Sequence, residues 1–221
     1  MVFKDRQEAG RQLGEKLKDY AGKDTLVLAL PRGGVVVGYE VAKILHAPLD
    51  VIITRKIGAP SAPEYAIGAV AENGEVLLND QEIRLLGIPR RYIQDEIERQ
   101  KGEIERRVKL YRGGRRLPNL GGKRVILVDD GIATGFTMKT SIQAVRAENP
   151  REIVLAVPVA PPEVIDELAS MVDAVVCLAT PSPFIAVGAW YRSFEQTTDD
   201  EVKSLLAAAH KTALRQEPPQ H

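Results

Sequence analysis

The chain has 221 residues, with Lys plus Arg and Asp plus Glu both at 30, so it carries no net formal charge and no global attraction to nucleic acid or an anionic membrane. That length fits one well-buried α/β domain with an elaboration or two small domains; the first is favoured, with the domain expected over residues 1–215 and a disordered tail over 216–221. The charged start MVFKDRQEAG and the lack of an apolar run near about 18 residues predict a cytoplasmic protein with no membrane span. A single cysteine, Cys177 in the apolar run AVVCLA, reads as a reduced core residue, and the 3 histidines lack metal-ligand spacing.

Phe3, Leu13, Leu17 and Tyr20 recur among charges at helical spacing, which predicts a first helix over 4–20 stopped at Gly22. Thr25 to Leu30 (TLVLAL) reads as the first buried strand. It runs into Pro31, Arg32, Gly33 and Gly34 before a helical pattern from Val35 to His46. Glycines let the backbone approach a ligand closely, and an arginine fork suits phosphate oxygens. The plainer account is a tight turn with a solvated arginine. Leu49 to Thr54 reads as a second parallel strand, placing Arg55 and Lys56 at its carboxyl end, the ligand side of an open α/β sheet.

From 58 to 79 the composition shifts to Pro, Ala and Gly, then to a hairpin signal at Asn73-Gly74. A helical insert is expected over 81–113. Gln81 to Leu86 is a short helix stopped at Gly87, and a longer helix starts after Pro89 with Ile93, Ile97, Ile104, Val108 and Tyr111 on one stripe. Asp95/Arg99, Glu103/Arg107 and Glu105/Lys109 are spaced as i,i+4 pairs. This helix is expected to lie on the core with a solvated charged face. A cap over the active site or a homodimer surface is the sharper alternative. Arg112, Arg115 and Arg116 around Gly113-Gly114 read as a solvated connection.

The stretch VILVDDGIATGFT, Val125 to Thr137, brings the chemistry together. Four apolar residues predict a doubly buried strand, Asp129 and Asp130 end it, and Gly131, Ala133, Thr134, Gly135, Phe136 and Thr137 lead into a helix. Small and hydroxyl side chains at a helix N-terminus form an anion cradle. Two adjacent carboxylates repel each other unless they accept hydrogen bonds from a ligand or meet a cation, and a ribose phosphate offers both. A P-loop is ruled out, since no lysine precedes Thr137. Further on, a helix over 137–147, a strand over 152–157, a helix over 161–169 and a strand over 174–178 call for a parallel sheet with right-handed crossovers. The segment 179–198 then carries Phe184, Trp190, Tyr191 and Phe194 before a helix that Thr198 and Glu201 box at its start. These aromatics serve either the core or a stacked base.

VILVDDGIATGFT resembles the ribose-phosphate motif of the type I phosphoribosyltransferases, and LPRGG resembles their pyrophosphate loop. The resemblance implies an open, mostly parallel twisted sheet flanked by helices, with the helical insert and a C-terminal cap segment added. It implies that Asp129 and Asp130, as catalytic residues, hold the ribose 2- and 3-hydroxyls of phosphoribosyl pyrophosphate (PRPP). Gly131, Ala133, Thr134, Gly135, Phe136 and Thr137 would bind the 5-phosphate. Arg32, Gly33, Gly34, Arg55 and Lys56 would bind pyrophosphate, and the 58–79 stretch would be a mobile lid. Mg²⁺ would bridge ligand oxygens rather than be held by protein side chains alone. Phe184, Trp190 and Tyr191 are candidate base-stacking residues for a small-molecule acceptor. Two positions depart from the 6-oxopurine enzymes: Ala133 replaces an acid in the loop, and Arg192 replaces an acid after Gly188. The alternative is a non-catalytic sensor of PRPP or a nucleotide, with the same fold and no nucleic-acid partner expected.

Overall fold

The computed structural model describes residues 2–214, so the tail expected over 216–221 lies outside the described residues. In chain order the first elements are α1 (Arg6–Lys16), β1 (Thr25–Ala29), α2 (Gly33–Leu45), β2 (Leu49–Val51), β3 (Thr54–Ala59), β4 (Ala62–Ala71) and β5 (Val76–Leu78). There follow α3 (Asp80–Leu85), α4 (Arg90–Arg112), β6 (Arg124–Val128), α5 (Phe136–Ala147), β7 (Glu152–Val159), α6 (Pro162–Ala169), β8 (Ala174–Ala179) and α7 (Asp199–Leu214). The chain divides into two compact units. Of the described residues, one comprises 2–51, Leu120–Ala133 and 149–214; the other comprises Ile52–Asn119 and Thr134–Glu148.

The first unit is built on a five-stranded sheet of order β2-β1-β6-β7-β8 in which every neighbouring pair is parallel. The apolar runs foretell this, because a strand covered on both faces needs no polar alternate residue. Val125 to Val128 and Ile153 to Val157 are each buried without a break. Leu13 of α1, Leu17 just past its end, and Val37, Val41 and Leu45 of α2 pack on Val27, Ile126, Val128 and Val154, so both helices cover one face. Each such fully buried aliphatic side chain stabilises the fold by about 1.5–3 kcal/mol relative to exposure.

The second unit is a three-stranded antiparallel sheet of order β3-β4-β5, closed at Asn73-Gly74 by the expected hairpin turn. Ile88 and Ile93 pack on Ile57, Ala59 and Ile67, so α4 lies on this sheet. Tyr92 donates its hydroxyl to the Gly58 carbonyl at 2.9 Å. The 58–79 stretch, expected as a small-residue loop leading into a hairpin, is mostly strand, with an exposed turn at 60–61 and an exposed start of β4 over 62–65.

Three expectations need correcting. The strand expected over 49–54 ends at Val51, and Thr54–Ala59 pairs antiparallel with β4. Arg55 and Lys56 therefore sit inside β3, not at the carboxyl end of a parallel strand. Arg99 pairs with Glu96 at 2.6 Å rather than with Asp95, whereas the Glu103–Arg107 pair forms at 2.8 Å. Arg112 is not solvated: it is 4% exposed and bonded through Nη2 to Glu72, whose Oε1 accepts from the Ile53 amide at 3.1 Å. No helix among the described residues is long and apolar enough to cross a membrane.

Candidate active site

β1 and β6 are paired in register from Thr25↔Arg124 to Ala29↔Val128, so the segments leaving their carboxyl ends emerge side by side. The Leu30 amide continues the ladder onto the Val128 carbonyl at 2.9 Å. Past it, the chain turns through a cis Pro31–Arg32 peptide into α2, whose first two residues are Gly33 and Gly34. These lie directly against the acid pair. A Cβ on Gly34 would stand 2.9 Å from Asp129 Cα and 3.0 Å from the Val128 carbonyl oxygen, and one on Gly33 would stand 2.0 Å from Asp130 Oδ2. Only glycine permits this approach.

The two carboxyls have different surroundings. Asp130 accepts at Oδ2 from Arg6 Nε at 2.6 Å, and Arg6 also donates through Nη1 to the Glu195 carbonyl at 2.7 Å. The Arg6 guanidinium lies 3.8 Å from the centre of the Phe194 ring. Asp129 accepts at Oδ1 from the Asp130 amide at 2.8 Å. Burial, and then the neighbouring Asp130 carboxylate, hold the Asp129 carboxyl well above the ordinary range, with Arg6 acting in the opposite direction. The Tyr191 hydroxyl donates to the Asp130 carbonyl at 2.5 Å, and burial followed by Asp130 pushes its phenol upward.

Beyond the acids, Gly131 is pressed against Val187, and the Ile132 amide donates to the Val159 carbonyl at 3.0 Å. Ala133 and Thr134 are exposed, and Gly135, at φ 79°, turns the chain into α5 at Phe136. Among the described residues no side chain caps this helix start, which leaves the first-turn N–H groups of Phe136 and Thr137 to face an anion. Thr137 also accepts the Ser141 hydroxyl at its carbonyl, 2.8 Å away.

The structure thus gathers Gly33, Gly34, Asp129, Asp130 and Gly131 within the first unit, with Arg32 at the same turn, its Nη1 4.0 Å from Asp199 Oδ1. Arg55 and Lys56 belong to the second unit. Arg55 Nε donates to Gln100 of α4 at 3.0 Å, and Lys56 Nζ is 2.5 Å from Glu64 Oε2. Phe184 and Trp190 stack on each other at 6.4 Å between ring centres. Tyr191 is built into the core: 6% exposed, it packs against Phe3 at 5.4 Å and Phe194 at 5.0 Å, so its share in the site is its hydroxyl. Arg6 escapes sequence reading, because one arginine at the start of a charged helix has the same signature as a solvated one. Among the described residues no group of three or more His, Cys, Asp and Glu side chains is placed to hold a metal ion.

The model of the phosphoribosyl transferase domain matches residues 4–188. The chain belongs to the phosphoribosyl transferase family. It is 47% identical over 210 residues to a provisionally named phosphoribosyl transferase of Mycobacterium tuberculosis strain H37Rv, and equally to its counterpart in strain CDC 1551. The match covers 95% of this chain and 47% of theirs, so the chain spans about half the length of the curated relatives it matches. Among solved structures it is similar to the TT1426 protein of Thermus thermophilus, with a TM-score of 0.78 and 43% identity over 94% of this chain and 99% of that one. The family match ends before Trp190, so the stacked pair straddles its boundary.

Proposed function

We propose that the chain transfers ribose 5-phosphate from PRPP to a nitrogenous acceptor and releases pyrophosphate. The observation that carries this reading is the contact of the Gly33-Gly34 turn with Asp129 and Asp130, which joins the two motif loops at one strand end. In this reading the acceptor nitrogen attacks ribose C1, the bond from C1 to the pyrophosphate oxygen breaks, and the electron pair departs with pyrophosphate, which takes up the proton that the nitrogen loses. The transition state resembles an oxocarbenium ion, so catalysis consists of fixing the sugar and stabilising the departing charge. Asp129 and Asp130 accept the ribose hydroxyls, the N–H groups at the start of α5 with Thr134 and Thr137 take the 5-phosphate, and Arg32 with Gly33-Gly34 faces pyrophosphate. Two carboxylates with part of their oxygens already engaged suit Mg²⁺ held largely by ligand oxygens, where it would neutralise the pyrophosphate charge. Phe184 and Trp190 are the aromatic pair offered to the acceptor.

Pyrophosphate release measured with PRPP, Mg²⁺ and a panel of bases tests the reading. Turnover with one base supports it. PRPP binding without turnover of any base would replace it with a sensor function. Binding unchanged in the Asp129→Asn, Asp130→Asn double variant would remove the acid pair from the site.

A further inference from the structure

We propose that Arg6 is the positioning residue of the acid pair, holding Asp130 by one carboxylate oxygen so that the pair meets the ribose diol in a single arrangement. The inference rests on the PRPP reading above and adds a residue outside both motifs. Arg6 opens α1, where a cation is opposed by the helix dipole, and Asp5 already caps that helix through the Glu8 amide at 2.8 Å. Helix formation therefore gives no reason for arginine at this place. Its tertiary contacts do. Nε grips Asp130 at 2.6 Å, Nη1 is tied to the Glu195 carbonyl, the guanidinium lies on Phe194, and the side chain is only 11% exposed.

Asp130 is consequently fixed at several points: Oδ2 by Arg6, its carbonyl by the Tyr191 hydroxyl, and its amide by Asp129 Oδ1. Of its two carboxylate oxygens Arg6 engages Oδ2, so Oδ1 is the one that Arg6 leaves for a ribose hydroxyl. Gly33 supplies the space, since a Cβ there would also stand 2.8 Å from Arg6 Nε. A fork bonded to two separate acceptors sets orientation, which a lysine point charge does not reproduce.

The test uses the intact chain and its Arg6→Gln and Arg6→Lys variants, with folding checked by circular dichroism. Two readouts are taken: calorimetric affinity for PRPP with Mg²⁺, and titration of Asp129 followed by carboxyl ¹³C NMR without ligand. The charged groups facing Asp129 are Asp130 and Arg6, with the Tyr191 phenol beside them. Arg6→Gln is expected to weaken PRPP binding about tenfold, as loss of a charge-assisted hydrogen bond does, and to move the Asp129 titration to higher pH. Arg6→Lys is expected to recover part of both. Wild-type affinity in Arg6→Gln would overturn the proposal. Weakened affinity with an unmoved Asp129 titration would overturn it too, by marking a merely structural role. If the unaltered protein binds no PRPP, the donor assignment fails, while the ligand-free titration still decides whether Arg6 governs the acid pair.

Discussion

A side chain on Gly33 would place its Cβ 2.0 Å from Oδ2 of Asp130, so these two residues meet with room for nothing larger than hydrogen. A Gly33→Ala variant must therefore displace either the Asp130 carboxylate from Arg6 or the first turn of α2. Overpacking of this kind costs about 1–3 kcal/mol. The expected outcome is a lower melting temperature together with at least about a tenfold loss of PRPP affinity, since a charge-assisted hydrogen bond is lost. Calorimetry showing wild-type affinity in a folded Gly33→Ala protein would separate the glycine turn from the ligand site.

Asp129 predicts a conflict between stability and binding. A carboxyl whose folded pKa exceeds its unfolded value leaves stability intact below the unfolded value and erodes it as pH rises through the folded one. Burial and the Asp130 charge raise Asp129, so from the ordinary carboxylate range near about pH 4 upward its ionisation favours the unfolded chain. Asp129→Asn removes that penalty with little change of shape. Its melting temperature at pH 7 should exceed that of the unaltered protein, by about 2–4 °C for each 1 kcal/mol relieved, and the gain should vanish toward pH 3. PRPP affinity should fall in the same variant. A lower melting temperature at neutral pH would contradict the assigned electrostatics.

The central strands were readable because VILV and LVLA are apolar without interruption, and a doubly buried parallel strand is what permits that pattern. The glycine turn and the acid pair were readable as residue types. Their contact was not, since it depends on the parallel register that sets Ala29 beside Val128. Ile52 and Ile53 misled the reading at 49–54, because both are buried and apolar and so continue the β2 pattern through the point where the chain leaves for β3. Arg6 and Arg112 were obscured for a related reason. Each stands among other charges in sequence, and only a tertiary partner, Asp130 for one and Glu72 for the other, reveals that it is buried.

The Arg112–Glu72 pair predicts where the second unit is most sensitive. Its side chains are 3% and 7% exposed, and it ties the end of α4 to the residue following β4. Removing one member of a buried pair strands the other charge at a cost of about 3–5 kcal/mol. Arg112→Ala should therefore lower the urea midpoint sharply. Replacing the pair together, as Arg112→Met with Glu72→Leu, should be much milder. Equal destabilisation in the single and double variants would mean that side-chain packing and the Ile53 amide bond to Glu72, not the charge pair, account for the loss.

Surface charge on α4 should behave differently from that buried pair. The Glu103 carboxyl is lowered to about 2, first by its hydrogen bond to Arg106 and also by Arg107, with burial opposing. A depressed carboxyl contributes stability above its unfolded value, near about pH 4.5, and loses it as pH falls toward the folded value. Because the side chain is 29% exposed, solvent screening limits this contribution to no more than about 1 kcal/mol. Thermal melts from pH 6 to pH 2.5 should show the unaltered protein losing slightly more stability than Glu103→Gln, with the two curves converging at the acid end. Parallel curves across that range would show that the Glu103 pairs with Arg106 and Arg107 contribute nothing measurable to folding.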